Sequence, residues 1–309
     1  MESRDLTDRG SGATGATETL IRMHETDVTV DRNDATQAQR PNGANSAALP
    51  SALDRLPDIA ALLAARRVAL FLDYDGTLTP IVDRPELAVL DPDMRDLLDT
   101  LAARCTLAIV SGRDVRDVRA LVGLDSLIYA GSHGFEIDGP HGWHLEHEQE
   151  VECLPALDAA ENALKAALSG FEGVIVERKH FSVAVHYRMA AAGDTETIKA
   201  TVTAVDAQHP ALRTLAGKKV RELRPAVEWN KGRAVTWMLD KLDLRPPEAL
   251  PIYIGDDVTD EDAFQALGDA ALGIVVRDHA ARYTDARYAL DDPSEVLTFL
   301  RFLHDELGA

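Results

Sequence analysis

Apolar and polar positions alternate along the chain in two distinct rhythms. Val68 to Leu72 is a short run of β-branched, aromatic and aliphatic residues, which suits a strand buried on both faces. Ahead of it, Leu53, Leu56, Ile59, Leu62 and Leu63 recur at helical spacing and predict an amphipathic helix over 53–66. Asp91-Pro92 reads as the N-cap and first turn of another helix, with Met94, Leu97, Leu98 and Leu101 on one face. A second apolar run, Cys105 to Val110, precedes a helix carrying Val115, Val118, Leu121 and Val122, and a third run, Leu127 to Ala130, follows. Strands alternating with helices predict a parallel, doubly wound sheet.

The rhythm changes after about Ile137, where Gly139-Pro140 and Gly142 break the chain. A helix over 154–168, strand-like runs over 173–178 and 181–188, a helix over 194–208 and an extended stretch over 211–223 predict an α+β unit with an antiparallel sheet. The first rhythm resumes at Trp229. A helix bearing Val235, Met238, Leu239 and Leu242 leads to a strand over 250–255, a helix with Ala263, Phe264 and Leu267, a strand over 271–276 and a terminal helix over 293–307. The fold class expected is therefore α/β: a doubly wound parallel-sheet (Rossmann-like) core over 51–138 and 223–309, with an inserted α+β cap domain over 139–222. Residues 1–50 show no sustained period beyond a brief patch at Leu20, Ile21 and Met23. They are expected to form a disordered tail or one marginal helix.

Composition narrows the classes of function. The chain is 46% hydrophobic and 27% charged, as in soluble globular proteins with a real core. Its net charge of −20 argues against nucleic acid or an anionic membrane as partner, and a phosphorylated substrate would need positive charge supplied locally. No apolar run approaches the roughly 20 residues that span a bilayer, and no signal-peptide core follows the N-terminus. Two cysteines, Cys105 and Cys153, make no disulfide framework, so the expected location is the reducing cytoplasm. The sequence is silent on oligomeric state, and a monomer is assumed.

The chemistry gathers where apolar runs end. Asp73 and Asp75, one residue apart and followed by Gly76-Thr77, lie just past the first run; Ser111-Gly112-Arg113 follow the second, and Asp256-Asp257 follow the strand over 250–255. Parallel strands place their carboxyl ends along one sheet edge, where ligands bind, so these groups are expected to converge. Two carboxylates so close cannot both ionise cheaply without a cation between them. Asp73, Asp75 and Asp256 are accordingly expected to hold one Mg²⁺. One carboxylate can then attack phosphorus while the other handles the leaving-group proton. Ser111 and the Gly112 amide can bind phosphate at a helix start, although Ser111 also suits a plain N-cap. Lys231 would neutralise phosphate and the attacking carboxylate; a cation at a helix N-terminus opposes the dipole, which favours a functional role. Arg113 is either a phosphate ligand or the partner of Asp114 or Asp117.

These clusters, in this order, resemble the four motifs of the haloacid dehalogenase superfamily of phosphatases. Within it, Ser132-His133-Gly134-Phe135-Glu136, Glu177-Arg178-Lys179, Ser182 to Arg188, Trp229-Asn230-Lys231-Gly232 and Gly255 to Phe264 resemble the trehalose-6-phosphate phosphatases. The resemblance covers about five-sixths of the chain and implies a small-molecule sugar phosphate as substrate, in cytoplasmic trehalose synthesis. It implies Asp73 as nucleophile through an aspartyl-phosphate, Asp75 as general acid/base, Ser111 and Lys231 on phosphate, and Asp256 completing the Mg²⁺ site, with Asp257 and Asp260 nearby. Thr77, Gly112 and Arg113 are further candidates for phosphate. Lys179, His186, Tyr187 and Arg188 are polar positions that could contact a sugar, or simply an exposed sheet face, and Glu136 could contact a sugar hydroxyl or cap a turn. A related sugar-phosphate phosphatase and, from another class, a phospho-Asp receiver module are the alternatives; a receiver needs no cap over a diffusible substrate.

Overall fold

Alternation within the first apolar run explains the layering. Leu70 and Leu72 pack into one hydrophobic core, while Ala69 and Phe71 pack into another on the opposite face of the same strand. A strand covered on both sides has no polar face, hence its continuous apolar run. The protein is seen here as a computed structural model that describes residues 43–308 except 65, 83, 141–142, 147–151, 218 and 278–280. In chain order the elements are β1 Ala44–Asn45, α1 Leu56–Leu63, β2 Arg67–Leu72, α2 Pro92–Ala102, β3 Thr106–Val110, α3 Val115–Val122, β4 Ile128–Gly131, β5 Glu136–Asp138 and β6 His144–Glu146. Next come α4 Leu154–Leu168, β7 Ile175–Lys179, β8 Ser182–His186, α5 Thr195–Asp206, β9 Leu212–Gly217 and β10 Val220–Pro225. The last are α6 Lys231–Lys241, β11 Ala249–Gly255, α7 Glu261–Leu267, β12 Leu272–Val276, β13 Tyr283–Thr284, β14 Tyr288–Leu290 and α8 Pro293–Gly308.

The main sheet has the order β14-β12-β11-β2-β3-β4-β5-β6 among the described residues. All neighbours from β14 to β4 are parallel, and β4-β5-β6 close it as an antiparallel meander. From β2 the chain steps to β3 and β4 on one side; from β11 it steps to β12 and β14 on the other. The switch point therefore falls between β2 and β11, where α/β sheets bind ligands. Apolar faces of α1, α2, α3 and α8 cover one side, and those of α6 and α7 the other.

The inserted unit has its own four-stranded antiparallel sheet, β7-β8-β10-β9. Val183, Val185 and Leu223 on one face pack with Leu157, Leu164, Ile198 and Val202 of α4 and α5 into a separate core. Its other face, with Lys179, Ser182 and Glu222, is polar, as alternation requires.

Three expected boundaries move. Gly139-Pro140 opens a tight hairpin rather than a domain junction: Gly139 N donates to Trp143 O at 2.7 Å, and β6 then extends the main sheet; Gly142 lies outside the described residues. The insertion thus begins beyond Glu146, and at its other end β10 carries the cap sheet to Pro225. The extended stretch over 211–223 is a hairpin, β9 and β10, with Lys219 at φ +66° near the turn. The last part of the expected tail belongs to the core, because β1 pairs with β13 and Ala289 N donates to Pro50 O at 3.0 Å. The rest of that tail, 1–42, lies outside the described residues.

Candidate active site

The site grows from the end of β2. Asp73 N donates to Ile254 O of β11 at 2.9 Å, which fixes the Asp73 side chain beside the neighbouring strand end. The chain then turns sharply, with Gly76 at φ +85° and its N–H on Thr79 O at 2.8 Å. A Cβ at Gly76 would stand 2.2 Å from Asp256 Oδ2. Only glycine serves both needs here, a left-handed backbone and the close approach of a carboxylate.

Lys231 opens α6, whose N-cap Asn230 accepts from Arg233 N at 2.9 Å. Its side chain is 2% exposed, and Nζ donates to Asp73 Oδ1 at 2.6 Å and Asp260 Oδ1 at 2.7 Å. Burial alone would lower its pKa, but Asp260 and Asp73 outweigh burial and hold it firmly protonated. Asp260 also accepts from Tyr253 Oη at 2.7 Å and, through Oδ2, from Asp257 N at 2.8 Å. Both its oxygens are taken, so it acts as the fixed support of Lys231 and of the loop after β11.

Carboxylate oxygens of Asp73, Asp256 and Asp260 lie within 4.8 Å of one another. Burial pushes the Asp73 carboxyl well above its usual range despite Lys231, and burial with the charges of Asp260 and Asp257 pushes Asp256 up to about 7. Asp256 Oδ1 is buried without a hydrogen-bond partner among the described residues, and so is Thr77 Oγ1. Three clustered carboxylates facing one ammonium, all hard oxygen donors, with one oxygen orphaned, fit a divalent cation such as Mg²⁺. Asp73 and Asp256 are the donors with capacity to hold it.

Asp75 lies elsewhere than expected. Both its oxygens are gripped by Arg113, Nε to Oδ2 at 2.6 Å and Nη2 to Oδ1 at 2.7 Å, so its carboxylate is outside the cluster and Asp260 takes its place. The reason is the fork geometry of guanidinium, which satisfies a carboxylate bidentately. Arg113 also reaches Asp117 Oδ2 at 2.9 Å and Pro85 O at 2.9 Å. With those partners it is not placed as a phosphate ligand. Ser111 is buried and its Oγ accepts from Arg113 N at 3.2 Å; the N-cap of α3 is Asp114. A Cβ on Gly112 would meet His133 Cε1 at 2.9 Å, so the Ser111-Gly112 backbone runs directly against that ring.

The inserted unit packs against this edge through its polar face. Asp114 accepts Ser132 Oγ at 2.9 Å and His180 N at 3.0 Å, and Phe135 meets Phe181 edge-on at 6.2 Å. Glu222 accepts from Ser182 Oγ at 2.6 Å and Lys179 Nζ at 3.4 Å, and its Oε2 is 3.8 Å from His133 Nε2. Burial would raise the Glu222 carboxyl, but Lys179 chiefly holds it well below the usual range. A cavity of about 540 Å³ between cap and core is lined by Asp114, Glu136, Lys179 and His180, among others; Glu136 Oε2 stands 3.4 Å from His180 Nδ1. Of the cap residues expected to face a sugar, Lys179 is in this group. His186 is four residues along β8 and pairs with Glu177 at 2.7 Å, and Arg188 lies past the strand in an exposed turn. Glu222 and His180 had no role in the sequence reading, His133 stood only within a motif, and Asp114, expected as a possible partner of Arg113, instead accepts from Ser132 and His180. Strand pairing, Glu222 opposite Ala184 and Lys179 opposite Ser182, puts Glu222 on the sheet face that carries Lys179 and Ser182.

Comparison with known proteins adds a family. The family model described as trehalose-phosphatase matches residues 71–294. A trehalose-phosphate phosphatase of Mycobacterium tuberculosis is 43% identical over 293 residues, 94% of this chain and 74% of that protein. Among solved structures, a trehalose-6-phosphate phosphatase of Aspergillus fumigatus is similar with TM-score 0.60 at 27% identity, over 83% of this chain and 99% of that one. The C-terminal domain of a C. albicans trehalose-6-phosphate phosphatase shares the fold with TM-score 0.71 at 23% identity, over 83% and 99%.

Proposed function

The chain belongs to the trehalose-phosphatase family, and from that footing we propose that it is a Mg²⁺-dependent phosphatase converting trehalose 6-phosphate to trehalose and phosphate through an aspartyl-phosphate at Asp73. The observation that carries this reading is the Lys231–Asp73–Asp256 cluster at the sheet's switch point. With Oδ1 engaged by Lys231, Asp73 Oδ2 is the attacking oxygen: its bond to phosphorus forms as the bond from phosphorus to the sugar oxygen breaks. Asp75, once released by Arg113 and protonated from solvent, gives that proton to the leaving oxygen. It then takes a proton from the water that attacks the phosphoryl group, and Asp73 is restored. Ser111 Oγ, the Gly112 N–H and the orphaned Thr77 hydroxyl bind phosphate oxygens, and Lys231 offsets the charge building there. A bound Mg²⁺, held by Asp73 and Asp256, would supply further charge neutralisation.

Lys179 and Glu222, a cation and an anion side by side on the cap, would read sugar hydroxyls, with Glu136 and His180 across the cavity. Cytoplasmic action suits the two cysteines, neither of which is in a disulfide. No helix among the described residues is long and apolar enough to cross a membrane. The test is phosphate release from trehalose 6-phosphate, with and without EDTA, beside sucrose 6-phosphate and an aryl phosphate. Trehalose 6-phosphate should be the best substrate and EDTA should stop the reaction. Asp73→Asn retaining more than a few per cent of the rate would remove the covalent mechanism, since an amide is no nucleophile toward phosphorus.

A further inference from the structure

Asp256 presents a difficulty of orientation. Its Oδ1 has no partner among the described residues, so no hydrogen bond to that oxygen aims the carboxylate, and the backbone beneath it is what is seen to be held. That backbone is held by Arg282, from the segment between β12 and β14. Its Nη1 donates to Asp256 O, its Nη2 to Asp257 O at 3.2 Å, and its Nε to Glu261 Oε1 at 3.3 Å. Glu261 is buried, and its other oxygen accepts from Asp285 N at 2.9 Å. One guanidinium thus clamps two successive carbonyls of the loop and the first residue of α7.

Arg282 is in turn held from the N-terminal side. Ser46 N donates to Arg282 O at 2.8 Å, and Arg282 N donates to Ser46 Oγ at 3.1 Å. Ser46 is 5% exposed, and β1 pairs Ala44 with Thr284 and Asn45 with Tyr283 just beside it. Arg277 adds a bond from Nη2 to Leu49 O at 2.8 Å. The segment read from sequence as the end of a tail is therefore a strap on the far side of the metal loop.

We propose that Arg282 is a positioning residue for Asp256, latched by the strap at Ser46, and that the pair sets the affinity of the site for its divalent cation. This rests on the reading of Asp256 as a cation ligand. A planar fork can hold two carbonyls at once, whereas a lysine ammonium offers a point charge, so Arg282→Lys should restore only part of the effect. Residues that orient a metal ligand typically change affinity about 10–100-fold when removed.

The experiment is calorimetric titration of the full chain with Mg²⁺ in the absence of substrate, with unfolding temperatures recorded in EDTA. Arg282→Ala should bind Mg²⁺ about tenfold more weakly, Arg282→Lys should fall between it and wild type, and Ser46→Ala should shift the same way by less. In turnover, half-saturating Mg²⁺ should rise in step, raised Mg²⁺ should recover the rate, and KM for the sugar phosphate should hold. Should Arg282→Ala not fold, Arg282→Lys and Ser46→Ala make the comparison. Variants that bind Mg²⁺ like wild type, or lose a rate that Mg²⁺ does not recover, overturn the positioning role while leaving the phosphatase reading intact. Wild-type protein that releases phosphate but binds no Mg²⁺ overturns the metal reading and this inference together.

Discussion

Arg113 holds both carboxylate oxygens of Asp75, at 2.6 Å and 2.7 Å. The Arg113 side chain is 9% exposed and that of Asp75 40%, so a buried cation grips a half-open acid. The acid proposed to exchange protons with substrate is thereby kept out of the carboxylate cluster.

Asp75→Asn should lower kcat by about 10²–10⁴-fold, the usual worth of a positioned acid/base. Asp73 remains intact, so acid-quenched reactions should still contain phosphoryl-enzyme. Turnover at the wild-type rate would remove Asp75 from its role.

Specificity should lie with the pair on the cap. Lys179→Ala and Glu222→Gln should each lower kcat/KM for trehalose 6-phosphate by about tenfold or more, roughly 1.4 kcal/mol of transition-state binding. His186→Ala and Arg188→Ala should cost less, because His186 is paired with Glu177 and Arg188 lies beyond the strand. A small aryl phosphate should be hydrolysed almost as before by all four. Equal losses on both substrates would assign these residues to folding or phosphate.

Acidification should weaken the fold through His133. Burial lowers its pKa below the ordinary 6.5, so the unfolded chain takes up its proton first. Its contribution is full above about pH 6.5 and is lost as pH falls toward the lower folded value, at a slope of at most about 1.4 kcal/mol per pH unit. Melting curves between pH 7.5 and 5 should show His133→Gln losing less stability over that window than wild type. Parallel curves would show that His133 titrates alike in both states.

Deleting residues 1–50 should lower the unfolding temperature relative to deleting 1–42. The larger cut removes β1, the Ser46 bonds to Arg282 and the Pro50 bond to Ala289. Identical melting of the two truncated proteins would reduce the strap to a passive covering.

Much of the architecture was legible along the chain because its cause is local. A strand covered on both faces must be apolar throughout, so Val68 to Leu72 and Leu250 to Ile254 announce themselves, and the first polar residues after them, Asp73 and Asp256, must stand at the sheet's carboxyl edge. The cap at Asp91 is equally local. What the tertiary structure alone decided is which of those groups meet. Lys231 and Asp73 were expected to converge at the strand ends, but Arg113 and Asp75, 38 residues apart, and Glu222 and Ser182, 40 apart, meet through contacts that no period in the sequence encodes. Asp260 rather than Asp75 joined the cluster because a guanidinium fork claimed Asp75 and an ammonium claimed Asp260. The strap, too, escaped the sequence: two residues of β1 carry no periodicity, and their role exists only through pairing with Tyr283 and Thr284.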